Sequence, residues 1–453
     1  MSFPSGVPSF TYAAFKSVAN DQKEDDLFKQ ENNIKVVGLD KPKEYDNLDA
    51  VFDSDMTPND TVYSEMFGVG ETDDQDLRPR PMSMFVESSM SICVFLLGPT
   101  PGNKTGHFQG LNEDEHGMIG WVAEELFRQL QEKEDAAGGQ YKATVTIAFS
   151  EHYEEIITDL LMPTNHDLSI KIDPEFGYVV HGLTRHVCSN VEEIKAKVEY
   201  GKKSRKTQIF STGPASESAG AIFELILKQE EGDSPQSMQS TLSRILFVDV
   251  PPTTPLVAGA EKTRKDKGPM LAKSLFAFVD ICKALASKQK RMSAPFEQST
   301  LTSVLHDSLG ANSIIMCLAA LCQGEPEVSN KTLKLLSLFK KITSYPVENT
   351  ELTQGILMKY RMSVANLLDR IEELKIEQAA APKEDKAALE RLKELEEKLL
   401  KANIEGSTAK EDGAKVYRML ELFKAKYSKL VEDKANQAQE LIKSEEEKLG
   451  ISR

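Results

Sequence analysis

The chain has 453 residues, 71 of them acidic and 55 basic, which gives a formal net charge of −16, and 40% are hydrophobic. That length points to one large domain with an appendage, and the charge argues against general affinity for nucleic acid or an anionic membrane. No run of about 18 apolar residues is present to span a bilayer, and the N-terminus carries no basic segment followed by an apolar stretch, so a cytosolic protein without a secretory signal is expected.

In chain order, β-rich runs alternate with helical ones up to about Asn349, the pattern of a layered α/β domain. SICVFLL (91–97), VTIAFSEHY (145–153) and RILFVDV (244–250) read as strands. GWVAEELFRQLQEK (120–133), LAKSLFAFVDICKAL (271–285) and SIIMCLAALCQ (313–323) read as helices. Cys93, Cys188, Cys282, Cys317 and Cys322 are far apart and mostly set in apolar runs, which predicts reduced, buried thiols and no metal site. After Pro346 the pattern changes. Val364, Leu367, Ile371 and Leu374 fall at heptad spacing, as do Val416, Leu420, Phe423, Tyr427 and Leu430, with an interruption at Pro382 and a further stripe at Leu389, Leu392, Leu395 and Leu399. A helical tail is expected, either pairing as a coiled coil or folding back on itself.

The strand SICVFLL runs into GPTPGNKT at 98–105. A phosphate-cradling loop has the form G-x-x-x-x-G-K-[ST], in which glycines turn backbone N–H groups inward, the lysine reaches the terminal phosphates and the hydroxyl holds Mg²⁺. Gly98, Lys104 and Thr105 fit, but Asn103 stands where the second glycine belongs and Pro101 removes one N–H donor. Alone, the pattern leaves a phosphate site and an ordinary strand–turn–helix both open.

Its surroundings narrow the choice. The stretch resembles the kinesin family's GQTGSGKTYTMxG, and further likenesses follow in the family's order. They lie at YDNLDAVFDSDMTPNDTVYSEMF (45–67), HGMIGWVAEELF (116–127), TIAFSEHYEEIITDLL (146–161), FGYVVHGLTRHVCSNVEE (176–193), LAKSLFAFVDICKALA (271–286) and APFEQSTLTSVLHDSLGANS (294–313). The resemblance covers roughly residues 10–349. It implies a kinesin-type P-loop motor domain, a central, mostly parallel sheet flanked by helices, with an N-terminal extension at 1–9 and the helical, coiled-coil tail at 350–453.

The same resemblance locates what has changed. The family's first switch, N-x-x-S-S-R-S-H, falls on GPASESAG (213–220): Ser216 keeps its type, while Glu217 replaces the serine that helps hold Mg²⁺ and Ser218 replaces the arginine. The second switch, L-V-D-L-A-G-S-E, falls on FVDVPPTT (247–254). Asp249 persists, Pro252 replaces the glycine whose N–H meets the γ-phosphate, and Thr254 replaces the glutamate that pairs with the first-switch arginine. Near Lys16 the first strand lacks the family's leading arginine for the nucleotide base. These departures imply negligible turnover and no catalytic residue, with weak ATP or ADP binding, Mg²⁺ included, left open against a Lys104 that caps a neighbouring carboxylate.

By the same resemblance the loop containing Lys262, Arg264, Lys265 and Lys267 is the expected contact with the acidic tubulin surface, although Glu297 and Thr300 stand where the family has arginine and lysine. GKKSRK (201–206) is a second basic run, facing tubulin or solvent, and PVEN (346–349) resembles the start of the family's neck. The expectation is a noncatalytic, microtubule-associated, kinesin-like protein of the cytoskeleton, in an axoneme or as the inactive partner of a catalytic kinesin, pairing through its tail. A slow ATP-dependent motor and a scaffold that ignores tubulin are the alternatives.

Overall fold

The computed structural model describes residues 7–16, 27–30, 32–37, 39–54, 56–69, 80–99, 102–110, 117–174, 176–207, 209–210, 213–214, 219–232, 238–253, 273–287 and 294–350. The tail at 351–453, expected to be helical, and Ser216, Glu217 and the basic run at 262–267 lie outside them.

A nine-stranded mixed sheet forms the middle layer. Its strands are β1 (Phe10–Lys16), β2 (Ala50–Asp53), β3 (Ile92–Leu97), β4 (Tyr141–Tyr153), β5 (His186–Cys188), β6 (Gly220–Glu231), β7 (Gln239–Asp249) and β8 (Ile314–Cys322), with Ile156–Asp159 turning back along β4. They lie in the order β5-β4-β6-β7-β3-β8-β1-β2. From β7 to β2 the strands run parallel, whereas β6 is antiparallel to both β4 and β7. The C-terminal ends of β3, β4 and β7 therefore share one edge.

Each central strand is buried on both faces, and alternation sorts its side chains into two cores. Ile92, Val94 and Leu96 of β3 join the core under α1 (Asn59–Phe67), α2 (Pro81–Val86), α3 (Lys104–Gln109), α4 (Met118–Ala137) and α5 (Val191–Thr207). Cys93, Phe95 and Leu97 join the opposite core, under α6 (Lys273–Ala286), α7 (Thr300–Val304) and α8 (Pro326–Phe339). The five cysteines are free and buried, as their apolar settings predict.

One expectation fails. SIIMCLAALCQ is no helix: Ile314–Cys322 is β8, paired with β3 on one side and β1 on the other. Leu, Met and Ala favour a helix in isolation, but a nine-residue apolar run cannot bury its whole circumference as well as a central strand buries two faces.

The ends of the domain meet. Val7–Pro8, expected to belong to an extension, pair with Thr343–Ser344 just before the neck. The neck itself is docked: Tyr345 N–H donates to the Ala311 carbonyl at 2.9 Å, and Val347 N–H to Asn312 Oδ1 at 2.8 Å. Asn349 is 2% exposed; its side-chain amide donates to the Ser89 carbonyl at 2.8 Å and Ser91 Oγ at 3.2 Å, and its Oδ1 accepts from Asn312 at 3.0 Å.

Candidate functional site

The loop after β3 opens at Gly98, whose φ of 142° and whose approach to β8 both require glycine: a Cβ would fall 2.1 Å from the Ala320 carbonyl oxygen. Gly102 is pressed on the same oxygen, at 2.4 Å from a notional Cβ. Asn103 then takes the left-handed conformation, φ 60° and ψ 23°, as the residue preceding α3. Asparagine tolerates that region better than other side chains, so the loop keeps its turn without the second glycine.

Lys104 opens α3 and points inward. Its Nζ stands 2.7 Å from Asp249 Oδ1 and donates to the Val250 carbonyl. Asp249 ends β7, and its other oxygen accepts from Arg205 Nη1 at 3.2 Å; Arg205 Nε reaches Glu151 Oε1 at 3.0 Å, and its Nη2 donates to the Ala219 carbonyl at 3.4 Å. All four charged side chains are at least 97% buried.

The sheet explains why these groups meet. Glu151, Ala221 and Asp249 are direct register partners across β4, β6 and β7, so the Cα atoms of the two acidic residues stand about 10 Å apart with a methyl group between them, and their side chains share one face. Arg205 bridges that gap from the last turn of α5. One turn earlier, Gly201 lets the helix sit against β4, since a Cβ there would lie 2.4 Å from Phe149 Cδ1.

Two cations and two anions make a neutral quartet. Burial pulls the Lys104 ammonium down from its ordinary range while Asp249 opposes that pull; burial raises the Glu151 carboxyl, and Arg205 partly offsets it. Asp249 and Glu151 together hold the Arg205 guanidinium charged against its burial. Beside the quartet, His152 is 2% exposed, with Nε2 3.2 Å from Ser150 Oγ, and burial lowers its pKa to about 3.

The segment after β7 is tied to the loop as well. Val250 N–H donates to the Leu96 carbonyl at 3.2 Å, Thr253 N–H to the Gly98 carbonyl at 3.1 Å, and Thr253 Oγ1 lies 2.7 Å from Thr332 Oγ1 of α8. Pro252 lies between them with no N–H to offer.

The described residues do not fit a Mg²⁺-bound nucleoside triphosphate. The loop's lysine is spent on Asp249 and Val250, and Pro252 beside them has no N–H to give a phosphate. Of the residues expected at this site, Gly98, Asn103, Lys104, Thr105, Asp249 and Pro252 converge. Glu151 and Arg205 were missed. Arg205 sits within the basic run GKKSRK, where its neighbours Lys203 and Glu199 behave as an ordinary surface pair, at 3.6 Å, and nothing in the run marks which cation turns inward.

A family model described as "Kinesin motor domain" matches residues 15–344. Among curated proteins, the chain is 27% identical to the chicken (Gallus gallus) kinesin-like protein KIF18B over 62% of its own length and 35% of the relative's. It is 25% identical to the Arabidopsis thaliana kinesin-like protein KIN-8B, over 78% of this chain and 43% of that one. The chain thus spans less than half the length of either. Among solved structures, a KIF14 segment described as a dimer with AMP-PNP in complex with a microtubule superposes with a TM-score of 0.63 at 22% identity, covering 78% of this chain and 100% of that one. A fast kinesin gives 0.61 at 20% identity, over 77% and 96%.

Proposed function

The chain belongs to the kinesin motor-domain family, and on that premise we propose that it is a noncatalytic member that attaches to microtubules as a structural or adaptor component. Motor domains of this family take a nucleotide with Mg²⁺, and their phosphate loop needs a cation free to meet the phosphates. The observation that carries the proposal is the commitment of Lys104 to Asp249 at 2.7 Å and to the Val250 carbonyl, inside a quartet with no net charge. A polyanion approaching it meets no excess of positive charge and must break buried pairs to gain the lysine.

Attachment rests on the basic loop carrying Lys262, Arg264, Lys265 and Lys267, four cations in a chain of net charge −16. The solved KIF14 segment's complex with a microtubule supports tubulin as the partner. The heptads at 364–374 and 416–430 support pairing through the tail, with a second copy or with a catalytic kinesin. Without ATP-driven release, residence on the filament is set by dissociation alone. That suits a stable array such as an axoneme, where we place the protein.

Two measurements test the proposal. Fluorescent ATP or ADP analogue titrated into the full chain with Mg²⁺ is expected to give no saturable signal in the micromolar range, and saturation abolished by Lys104→Ala would overturn the commitment of Lys104 to Asp249 on which the proposal rests. Co-sedimentation with microtubules is expected to be unaffected by nucleotide and to weaken steeply as salt rises. Failure to co-sediment at low salt would replace attachment with a scaffold that ignores tubulin.

A further inference from the structure

On the far side of the domain from the quartet's core, the three-stranded lobe Leu27–Gln30, Asn33–Val36 and Lys43–Tyr45 packs on α8. Tyr45 fixes the junction: its hydroxyl donates to the Asn330 carbonyl at 3.0 Å and contacts Asn330 Oδ1. Lys43 is two residues from Tyr45 on the same strand and shares its face. Lys334 is one helical turn beyond Asn330, and Lys331 is one turn before Lys334. The Tyr45–Asn330 contact therefore brings three lysines together, and all three are exposed. Their neighbour Glu44 is engaged elsewhere, with Lys35 at 3.3 Å. Among the described residues no carboxylate stands within ion-pair distance of Lys43, Lys331 or Lys334.

Like charges gathered without a counter-ion cost free energy, and in a chain with 71 acidic residues a partner carboxylate would be easy to supply. We propose that Lys43, Lys331 and Lys334 form a docking surface for a carboxylate-rich polypeptide segment of a partner protein. Burial and the neighbouring ammoniums of Lys43 and Lys331 hold Lys334 below the ordinary lysine range, and binding of carboxylates relieves the ammonium part of that pull. A short acidic peptide suits the patch better than nucleic acid. It brings its charges to three cations without laying a long polyanion across an otherwise acidic surface. None of these lysines is among the residues assigned to nucleotide or tubulin, so the inference stands apart from the proposed function.

The test is fluorescence anisotropy of a fluorescein-labelled deca-glutamate peptide titrated with the full chain. Binding is expected to weaken as salt rises, and to fall about tenfold when Lys43, Lys331 and Lys334 are all changed to Glu or, separately, all to Gln. Both triple variants are expected to keep the wild-type unfolding midpoint within a few degrees, because the side chains are exposed. Three results overturn the inference: equal peptide binding by wild type and a folded triple variant, displacement of the peptide by millimolar inorganic phosphate alone, or tighter binding of oligouridylate than of the peptide through the same lysines.

Discussion

The ammonium of Lys104 stands 2.7 Å from Oδ1 of Asp249, with both side chains almost wholly buried, so the loop after β3 and the end of β7 are joined by a charge pair of the protein's own. A lysine waiting for a ligand contributes little to folding. One that neutralises a buried aspartate is part of the core, and the two cases respond differently to mutation.

Lys104→Ala is therefore expected to destabilise the domain by about 3 kcal/mol, the usual result of removing one partner of a buried pair. The double variant Lys104→Met with Asp249→Asn is expected to recover part of that loss, since it leaves neither charge unpaired. Urea unfolding of both variants checks this. An alanine variant as stable as wild type contradicts the buried pair.

Gly201→Ala places a methyl group 2.4 Å from Phe149 Cδ1 and pushes α5 off β4, one turn before Arg205. Helix propensity alone would favour alanine by about 1 kcal/mol. The clash is expected to reverse that sign, with a net destabilisation of about 1–3 kcal/mol in the same unfolding assay. A stabilised variant would show that the helix does not need its close approach.

His152 sets a pH dependence. Its folded pKa is lowered to about 3 by burial, against about 6.5 when unfolded, so the unfolded state binds the extra proton as pH falls. The stability it contributes is complete above pH 6.5 and is lost as pH drops toward 3, at roughly 1.4 kcal/mol per pH unit within that window. Unfolding free energies at pH 6, 5 and 4 are expected to follow this slope in wild type, and the slope is expected to flatten in His152→Leu.

Asn349→Ala removes two donated hydrogen bonds and one accepted bond at a buried position, which is expected to cost the neck about 2 kcal/mol locally. Hydrogen exchange at Tyr345 and Val347 is expected to quicken by more than tenfold in the variant. In wild type it is expected to stay unchanged when ATP or ADP is added, because the docked neck and the closed quartet do not depend on a ligand.

Much of this was legible in the sequence. The strand SICVFLL and the loop GPTPGNKT marked where Lys104 lies, and they left open whether it meets a phosphate or caps a neighbouring carboxylate, as it does on Asp249. Three features were not legible. Ile314–Cys322 reads as a helix because its residues favour one, and only its place between β3 and β1 makes it a strand. Arg205 looks like any lysine or arginine of a charged run, since its inward turn depends on Gly201 and on the register that aligns Glu151 with Asp249. The Lys43, Lys331 and Lys334 cluster joins positions nearly 300 residues apart through the packing of the lobe on α8, which Tyr45 fixes at Asn330.

Phosphate release by the purified full chain, measured with saturating microtubules and Mg-ATP beside its Lys104→Ala variant, tests the central reading most directly. The expected result is release at background, unchanged by microtubules and indistinguishable between the two proteins. Microtubule-stimulated release by wild type that disappears in the alanine variant would contradict it, because Lys104 would then be serving a phosphate and not Asp249.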